Sequence, residues 1–300
     1  MPVQVEEILG KLREHGYEAF AVGGCVRDAI LGRIPGDWDI TTSAHPEEVK
    51  QVFGHTIDTG LQHGTVTVMR DHIGYEITTY RIDGEYEDGR HPKEVVFTAE
   101  LREDLRRRDF TINAMAYSHE TGIVDIFGGA EDLAARRIRC VGDAGERFTE
   151  DALRILRAVR FSAQLGFSIE KKTWQALCEL APSLVHVSKE RVQVELTKTL
   201  LSDRPEFIWK TEAAGLAPYI SKTFPEVFAA WKKQKSCAKQ RLEEKVYSKD
   251  VPAADKDAIK TETVAQQGHM FVKHECETDM AGKISAAAAH LPAEKALRWS

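Results

Sequence analysis

The chain has 300 residues, 42% of them hydrophobic, and 41 Lys+Arg set against 47 Asp+Glu give a formal net charge of -6. That length supports a sizeable core split between two or three modest lobes, and the acidic balance argues against indiscriminate nucleic-acid binding. No run of about 18 apolar residues occurs, which excludes a membrane-spanning helix as a reading.

Taken in chain order, Val3–Glu14 has Val5, Ile8, Leu9 and Leu12 on one face and predicts a helix. Ala19–Val22 reads as a strand running into Gly23-Gly24, and Val26–Leu31 as a helix that stops at Gly32. Asp37–Thr41 reads as a second strand, and the β-branched, alternating stretches Thr65–Met69 and Tyr75–Tyr80 as two more. Between Arg81 and Pro92 the chain is polar and glycine-bearing, as in a mobile loop, and Val95–Phe97 is strand-like again. Asp109–Tyr117 is expected to begin a helix, Val124–Ile126 to form a short strand, and Gly128-Gly129 to break the chain. From Thr149 the character turns helical, over 149–165, about 170–180 and 188–201. These changes place three units at 1–148, 149–225 and 226–300, the last Lys-, Ala- and Glu-rich and either helical or partly disordered.

Charge is unevenly distributed. Residues 1–100 carry 9 bases and 18 acids, residues 101–160 carry 11 of each with every base an arginine, and residues 231–260 carry 9 bases and 5 acids. Arginine without lysine favours forked recognition of phosphates, carboxylates or base edges. The five cysteines (Cys25, Cys140, Cys178, Cys237, Cys276) are odd in number and contain no CxxC. Neither a disulfide framework nor a thiolate zinc site follows from them. With an N-terminus, MPVQVEEILG, that lacks a signal peptide's basic and apolar regions, they predict a reduced, cytoplasmic protein.

Asp37 and Asp39 are two apart. On a strand both carboxylates would point to the same face, where a hard divalent cation relieves their repulsion. The Gly23-Gly24 turn lies between a strand and a helix, so its amides are able to approach a triphosphate, and Arg27 follows on the first helical turn. Glu76 would face the pair from a neighbouring strand. Each feature has an ordinary alternative: a surface strand, a plain turn, an exposed strand glutamate.

The order of the segments changes the weight. GGCVRDAILG (23–32) and DWDITTSAHPEEV (37–49) resemble motif A of the polymerase-β-like nucleotidyltransferases, most closely the class II tRNA nucleotidyltransferases of the CCA-adding type and their bacterial poly(A) polymerase relatives. TGLQHGTVTV (59–68), RHP (90–92), RRRDFTINAMAY (106–117), VDIFGG (124–129), EDALRILRAVRF (150–161) and KERVQVEL (189–196) resemble that family's later segments in family order. The resemblance covers roughly 15–205 and fades after about 225. It implies an α+β fold, a polymerase-β-like head with a small mixed sheet and helices, followed by an all-α neck and body.

By the same resemblance Asp37 and Asp39 would bind Mg²⁺, with Glu76 the third carboxylate. Gly23, Gly24 and Arg27 would meet the nucleotide phosphates, Arg108 would bind nucleotide, and Asp109 and Asn113 would address the ribose. Asp151 and Arg154, read as neighbours on one helix face, offer acceptors and donors that imitate base pairing; in the resembled family the pair reads CTP and then ATP. Arg157 extends that stripe. Arg160 falls about opposite Asp151 on an ideal helix and is carried over as nucleotide-binding by resemblance alone. Ser188 would cap a helix on which Glu190 and Arg191 brace the base-reading helix. The implied reaction is template-independent addition of CMP and AMP to a tRNA 3′ end. An A-adding enzyme, a poly(A) polymerase and a non-catalytic RNA- or nucleotide-binding protein stand as alternatives. The basic segment 231–245 reads equally as a phosphate contact or a solvated helix.

Overall fold

The computed structural model describes residues 1–84, 95–226, 228–230 and 233. The expectations for RHP, for most of the 81–92 loop, for the basic segment apart from residue 233, and for the tail lie outside the described residues.

The opening helix α1 (Val3–Glu14) buries Val5, Ile8, Leu9 and Leu12, the stripe that a one-faced helix requires. It packs beside β1 (Ala19–Val22), which passes through Gly23 into α2 (Gly24–Ile30). Next come β2 (Ile40–Thr42) and α3 (Pro46–Val52), whose start is fixed by the Glu48 carboxylate accepting the His45 N–H at 2.7 Å. β3 (Thr56–Gly60), β4 (Thr65–Arg70) and β5 (Ile73–Thr79) form a meander, and β6 (Arg81–Asp83) pairs with β7 (Val95–Phe97). α4 (Leu101–Arg106), β8 (Met115–Ser118), β9 (Gly122–Asp125), α5 (Gly129–Ala134) and β10 (Arg137–Ile138) complete the sheet-bearing part.

The main sheet has seven strands in the order β3-β4-β5-β2-β1-β8-β9. β2 and β5 run parallel, and the other adjacent pairs are antiparallel. Both faces of β1 are covered. Ala19 and Ala21 join the large core with α1 and α3, while Phe20 and Val22 join a second core with Tyr80, Leu105, Ala114 and Ala116. This is why β1 reads as a continuous apolar run.

Helices follow: α6 (Ala144–Glu150), α7 (Leu153–Leu165), α8 (Lys171–Glu179) and α9 (Lys189–Leu200), then the short α10 (Trp209–Ala213) and α11 (Ala217–Ile220). A two-residue strand β11 (Ser168–Ile169) pairs in parallel with β10 and ties α7 to the sheet-bearing part. Phe110 of that part packs edge-to-face on Phe161 of α7, with ring centroids 5.8 Å apart. Among the described residues no helix is long and apolar enough to cross a membrane.

Three local expectations are corrected. The second strand starts at Ile40, so Asp37 and Asp39 precede it; only the Asp39 carbonyl joins the ladder, accepting the Val22 N–H at 2.9 Å. Residues 109–117 do not start a helix. A 3-10 turn spans Thr111–Asn113, and β8 then fills the slot between β1 and β9, where in-sheet pairing overrides the helix propensity of Met and Ala. The helix read over 149–165 is two helices, because Asp151 takes an extended backbone (φ -143°, ψ 102°) between α6 and α7.

Candidate active site

β2 and β5 are in parallel register with Ile40 opposite Ile77, so one step earlier Asp39 is level with Glu76. Along β5 Tyr75, Ile77 and Thr79 are buried and Glu76 is exposed, which puts Glu76 on the open side of the sheet. Asp37 and Asp39 also reach solvent. The Asp39 carboxyl is raised above its ordinary range, first by enclosure on its protein side and then by the Asp37 charge; Glu76 adds to the rise, and Arg108 opposes it. Three carboxylates therefore act on one spot with one nearby cation against them. An all-oxygen set of this kind suits a hard divalent ion. Among the described residues no three His, Cys, Asp or Glu side chains form a ready-made metal cage. An ion held by Asp37 and Asp39 would need further ligands from water or substrate phosphates.

Gly23 lies directly beside this acidic patch, with φ 82° and ψ -126°, a conformation that disfavours any side chain. A Cβ there would also stand 2.8 Å from Arg108 Nη1, so the guanidinium lies across the bare turn. At Gly24 a Cβ would meet Arg27 Nη2 at an ordinary 3.7 Å.

Arg27 is buried. Its Nε and Nη2 donate to Asp28 at 2.9 Å each, and its Nη1 donates to Asn113 Oδ1 at 2.6 Å. Asn113 in turn donates to Asp109 at 3.1 Å, and Asp109 accepts from Arg157 of α7 at 2.7 Å. Burial alone would push the Asp109 carboxyl up, but the Arg157 charge, the Asn113 bond and the Arg154 charge hold it down at about 2. Four expected site residues, Arg27, Asn113, Asp109 and Arg157, thus form one relay from the glycine turn to the helical region. Asp109 spans that relay and does not cap a helix.

Asp151 and Arg154 are placed differently from the one-face reading. Asp151 precedes α7, its carboxylate accepting the Leu153 N–H at 3.0 Å and pairing with Arg191 at 2.7 Å. Arg154 donates to Glu150 at 2.6 Å and to the carbonyls of Arg147 and Arg107 at 3.1 and 3.0 Å. Of the two expected braces, Arg191 holds Asp151 from α9 and Glu190 is exposed, and Ser188 occupies the cap position of α9 without making a side-chain cap bond. Arg160 pairs with Glu195 at 2.5 Å and Gln164 at 3.0 Å, a different set of partners from those of Arg154.

Phe161 was not anticipated. The guanidinium carbons of Arg160, Arg27 and Arg157 lie 4.0, 5.1 and 5.3 Å from its ring centroid, so one ring carries three cations. Asp104 was also missed, although its spacing to Arg107 and Arg108 is the i, i+3, i+4 helix pattern. Glu195 lies 35 positions from Arg160 and left no local signal. A cleft of about 370 Å³ opens beside this ring, lined among others by Arg27, Arg33, Arg160 and Gln164.

A mixed sheet that presents paired aspartates next to a bare glycine turn, followed by an arginine-bearing helix, defines a polymerase-β-like nucleotidyltransferase head with a helical continuation. Residues 19–139 match the poly(A) polymerase head domain, and residues 166–222 match the probable RNA and SrmB-binding site of polymerase A. The CCA-adding enzyme of Leuconostoc mesenteroides is 54% identical over 202 residues, 67% of this chain and 50% of that protein. The CCA-adding enzyme of Geobacillus thermodenitrificans is 53% identical over 214 residues, 71% of this chain and 53% of that protein. The crystal structure of the Bacillus stearothermophilus CCA-adding enzyme in complex with CTP superposes with a TM-score of 0.68 at 45% identity, covering 73% of this chain and 54% of that one. The Thermotoga maritima CCA-adding enzyme complexed with tRNA gives 0.60 at 26% identity, covering 72% and 51%. The chain belongs to the tRNA nucleotidyltransferase/poly(A) polymerase family. It spans about half the length of the curated relatives it matches.

Proposed function

We propose that the protein adds CMP and AMP, without a nucleic-acid template, to the 3′ end of tRNA, using CTP and ATP in the cytoplasm. The observation that carries this reading is the crowding of Asp39 by Asp37 and Glu76 beside the Gly23 turn, with Arg108 as the opposing charge. The catalytic head is proposed as 1–148, the base-reading neck and body as 149–225, and the region 226–300 as a further contact to tRNA.

Asp37 and Asp39 would hold Mg²⁺, which when bound supplies the positive charge that activates the tRNA 3′-hydroxyl and stabilises the leaving pyrophosphate. The chain's own residues do the positioning on which phosphoryl transfer depends. Gly23 and Gly24 leave the turn bare so that a triphosphate reaches its amides. Arg27 and Arg108 neutralise phosphate oxygens. Asp109 and Asn113, fixed to one another, face the ribose. Asp151 and Arg154, held by Arg191 and Glu150, would address the base edge as acceptor and donor. Arg157 and Arg160 hold this arrangement around Phe161.

The test is incorporation of labelled CMP and AMP into three tRNA substrates, ending before CCA, after C and after CC. Addition of C, C and A in order is expected, with Asp37→Ala reducing all three steps to background. Addition of A alone would assign the protein to the A-adding enzymes, and long A tails to the poly(A) polymerases. Tight CTP binding with no incorporation on any RNA would leave a non-catalytic binding protein.

A further inference from the structure

Asp104 on α4 is completely buried, its carboxylate shielded from solvent. A buried carboxylate is costly unless every lone pair is engaged. Here Oδ1 accepts Arg107 Nε at 3.0 Å and Nη2 at 2.7 Å. Oδ2 accepts the Thr41 hydroxyl at 3.1 Å and faces Arg108 Nη2 at 3.5 Å. One carboxylate therefore ties three neighbours together, and each leads to the site.

Thr41 lies on β2, two residues after Asp39 in the chain. Arg108 is the guanidinium that crosses the Gly23 turn and opposes the Asp39 charge. Arg107 offers its backbone carbonyl to Arg154 at 3.0 Å. The phosphate side and the base side of the site thus hang from the same two consecutive arginines. Left to itself, an arginine side chain samples many rotamers, and fixing one costs conformational entropy. Asp104 meets that cost during folding, before any nucleotide arrives.

We propose that Asp104 is a positioning residue for the incoming nucleotide: it touches no substrate, but it holds Arg108 over the Gly23 turn so that the triphosphate meets a preset cation. This inference rests on the nucleotide site proposed above and deepens it.

The experiment is a double-mutant cycle read as CTP affinity, by calorimetry with a non-transferable CTP analogue and Mg²⁺, on the full chain. Asp104→Asn keeps the shape and the Thr41 bond but loses the charge that aligns Arg108. It is expected to weaken CTP binding about tenfold, as removal of one charge-assisted contact does. Arg108→Ala should weaken binding by a similar or larger factor. Combined, the two should lose no more than Arg108→Ala alone, because Asp104 acts through Arg108. Fully multiplied losses in the double variant would overturn the proposal, as would an Asp104→Asn protein that binds CTP like the parent. Thr41→Val provides a second arm should Asp104→Asn fail to fold. It leaves the charges in place and should give a smaller loss in the same sense, and unchanged affinity there counts against the proposal. If the parent protein itself binds no CTP, the nucleotide site is wrong and not the role of Asp104 within it.

Discussion

Arg157 reaches across 48 positions of chain to place two nitrogens on one oxygen of Asp109, Nε at 2.7 Å and Nη2 at 2.6 Å. The pair fastens α7 to the sheet-bearing part at the point where Asn113 and Arg27 are also gathered. Its removal should therefore be felt both in stability and in the geometry of the relay.

The Asp109 carboxyl is held at about 2 against an ordinary 3.8. A carboxyl depressed on folding stabilises the protein above its unfolded value, and this contribution fades as pH falls from near 3.8 through about 2. It is worth about 2 kcal/mol in full. Urea midpoints of the parent should drop through that window, and those of Asp109→Asn should start lower and vary less. Parallel pH profiles for the two proteins would remove Asp109 from the acid response.

Asp39 behaves in the opposite sense. Its carboxyl is raised by enclosure, by Asp37 and by Glu76, so its charged form is held at a disadvantage in the metal-free fold. Asp39→Asn should leave the Tm unchanged or higher in buffer free of divalent ions. Adding Mg²⁺ should raise the Tm of the parent, by the equivalent of about 2.7 kcal/mol at a hundredfold excess over Kd, and leave the variant where it was. Equal stabilisation of both proteins by Mg²⁺ would show that the ion binds elsewhere.

The parts of this fold that follow from local pattern were legible in the sequence. α1 and β1 rest on periodicity, which needs no partner to be read. The parts decided by tertiary pairing were not. Met115–Ser118 carries residues that favour helix, yet β1 and β9 claim it as a strand. Asp151 breaks a stretch whose apolar spacing runs on unbroken, because its carboxylate has both the Leu153 N–H and distant Arg191 to satisfy. Around the site, Arg191 was legible as a brace, while Asp104 and Glu195 were not: Glu195 meets Arg160 only through the packing of α9 on α7.

Gly23 and Gly24 are adjacent and chemically identical, but the fold treats them differently. Gly23→Ala forces a side chain into a positive-φ conformation and 2.8 Å from Arg108 Nη1, so it should cost about 1–3 kcal/mol of stability. Gly24→Ala meets only an ordinary contact at 3.7 Å and should cost at most about 1 kcal/mol. If Gly24 nevertheless approaches the triphosphate, its alanine variant will unfold like the parent in urea while binding CTP more weakly. A Gly24→Ala protein with unchanged CTP affinity would confine the phosphate contact to Gly23 and the arginines.

Arg191 contributes through Asp151, which it meets at 2.7 Å with both side chains part-exposed. A pair this accessible contributes about 1 kcal/mol or less to stability, so Arg191→Ala should unfold close to the parent. Its effect belongs in base choice. Asp151 has one carboxylate oxygen on the Leu153 N–H and the other on Arg191, and together these fix the plane it presents. Without Arg191 the carboxylate turns more freely and the acceptor half of the base-reading pair loses its alignment. Discrimination between CTP and ATP, measured as the ratio of kcat/KM on tRNA ending before CCA and after CC, should fall about tenfold, the equivalent of one misaligned hydrogen bond. Arg191→Lys keeps the charge but not the planar fork, and should restore the stability fully and the discrimination only in part. If Arg191→Ala lowers both activities equally and leaves their ratio intact, Arg191 supports the helix and not the choice of base.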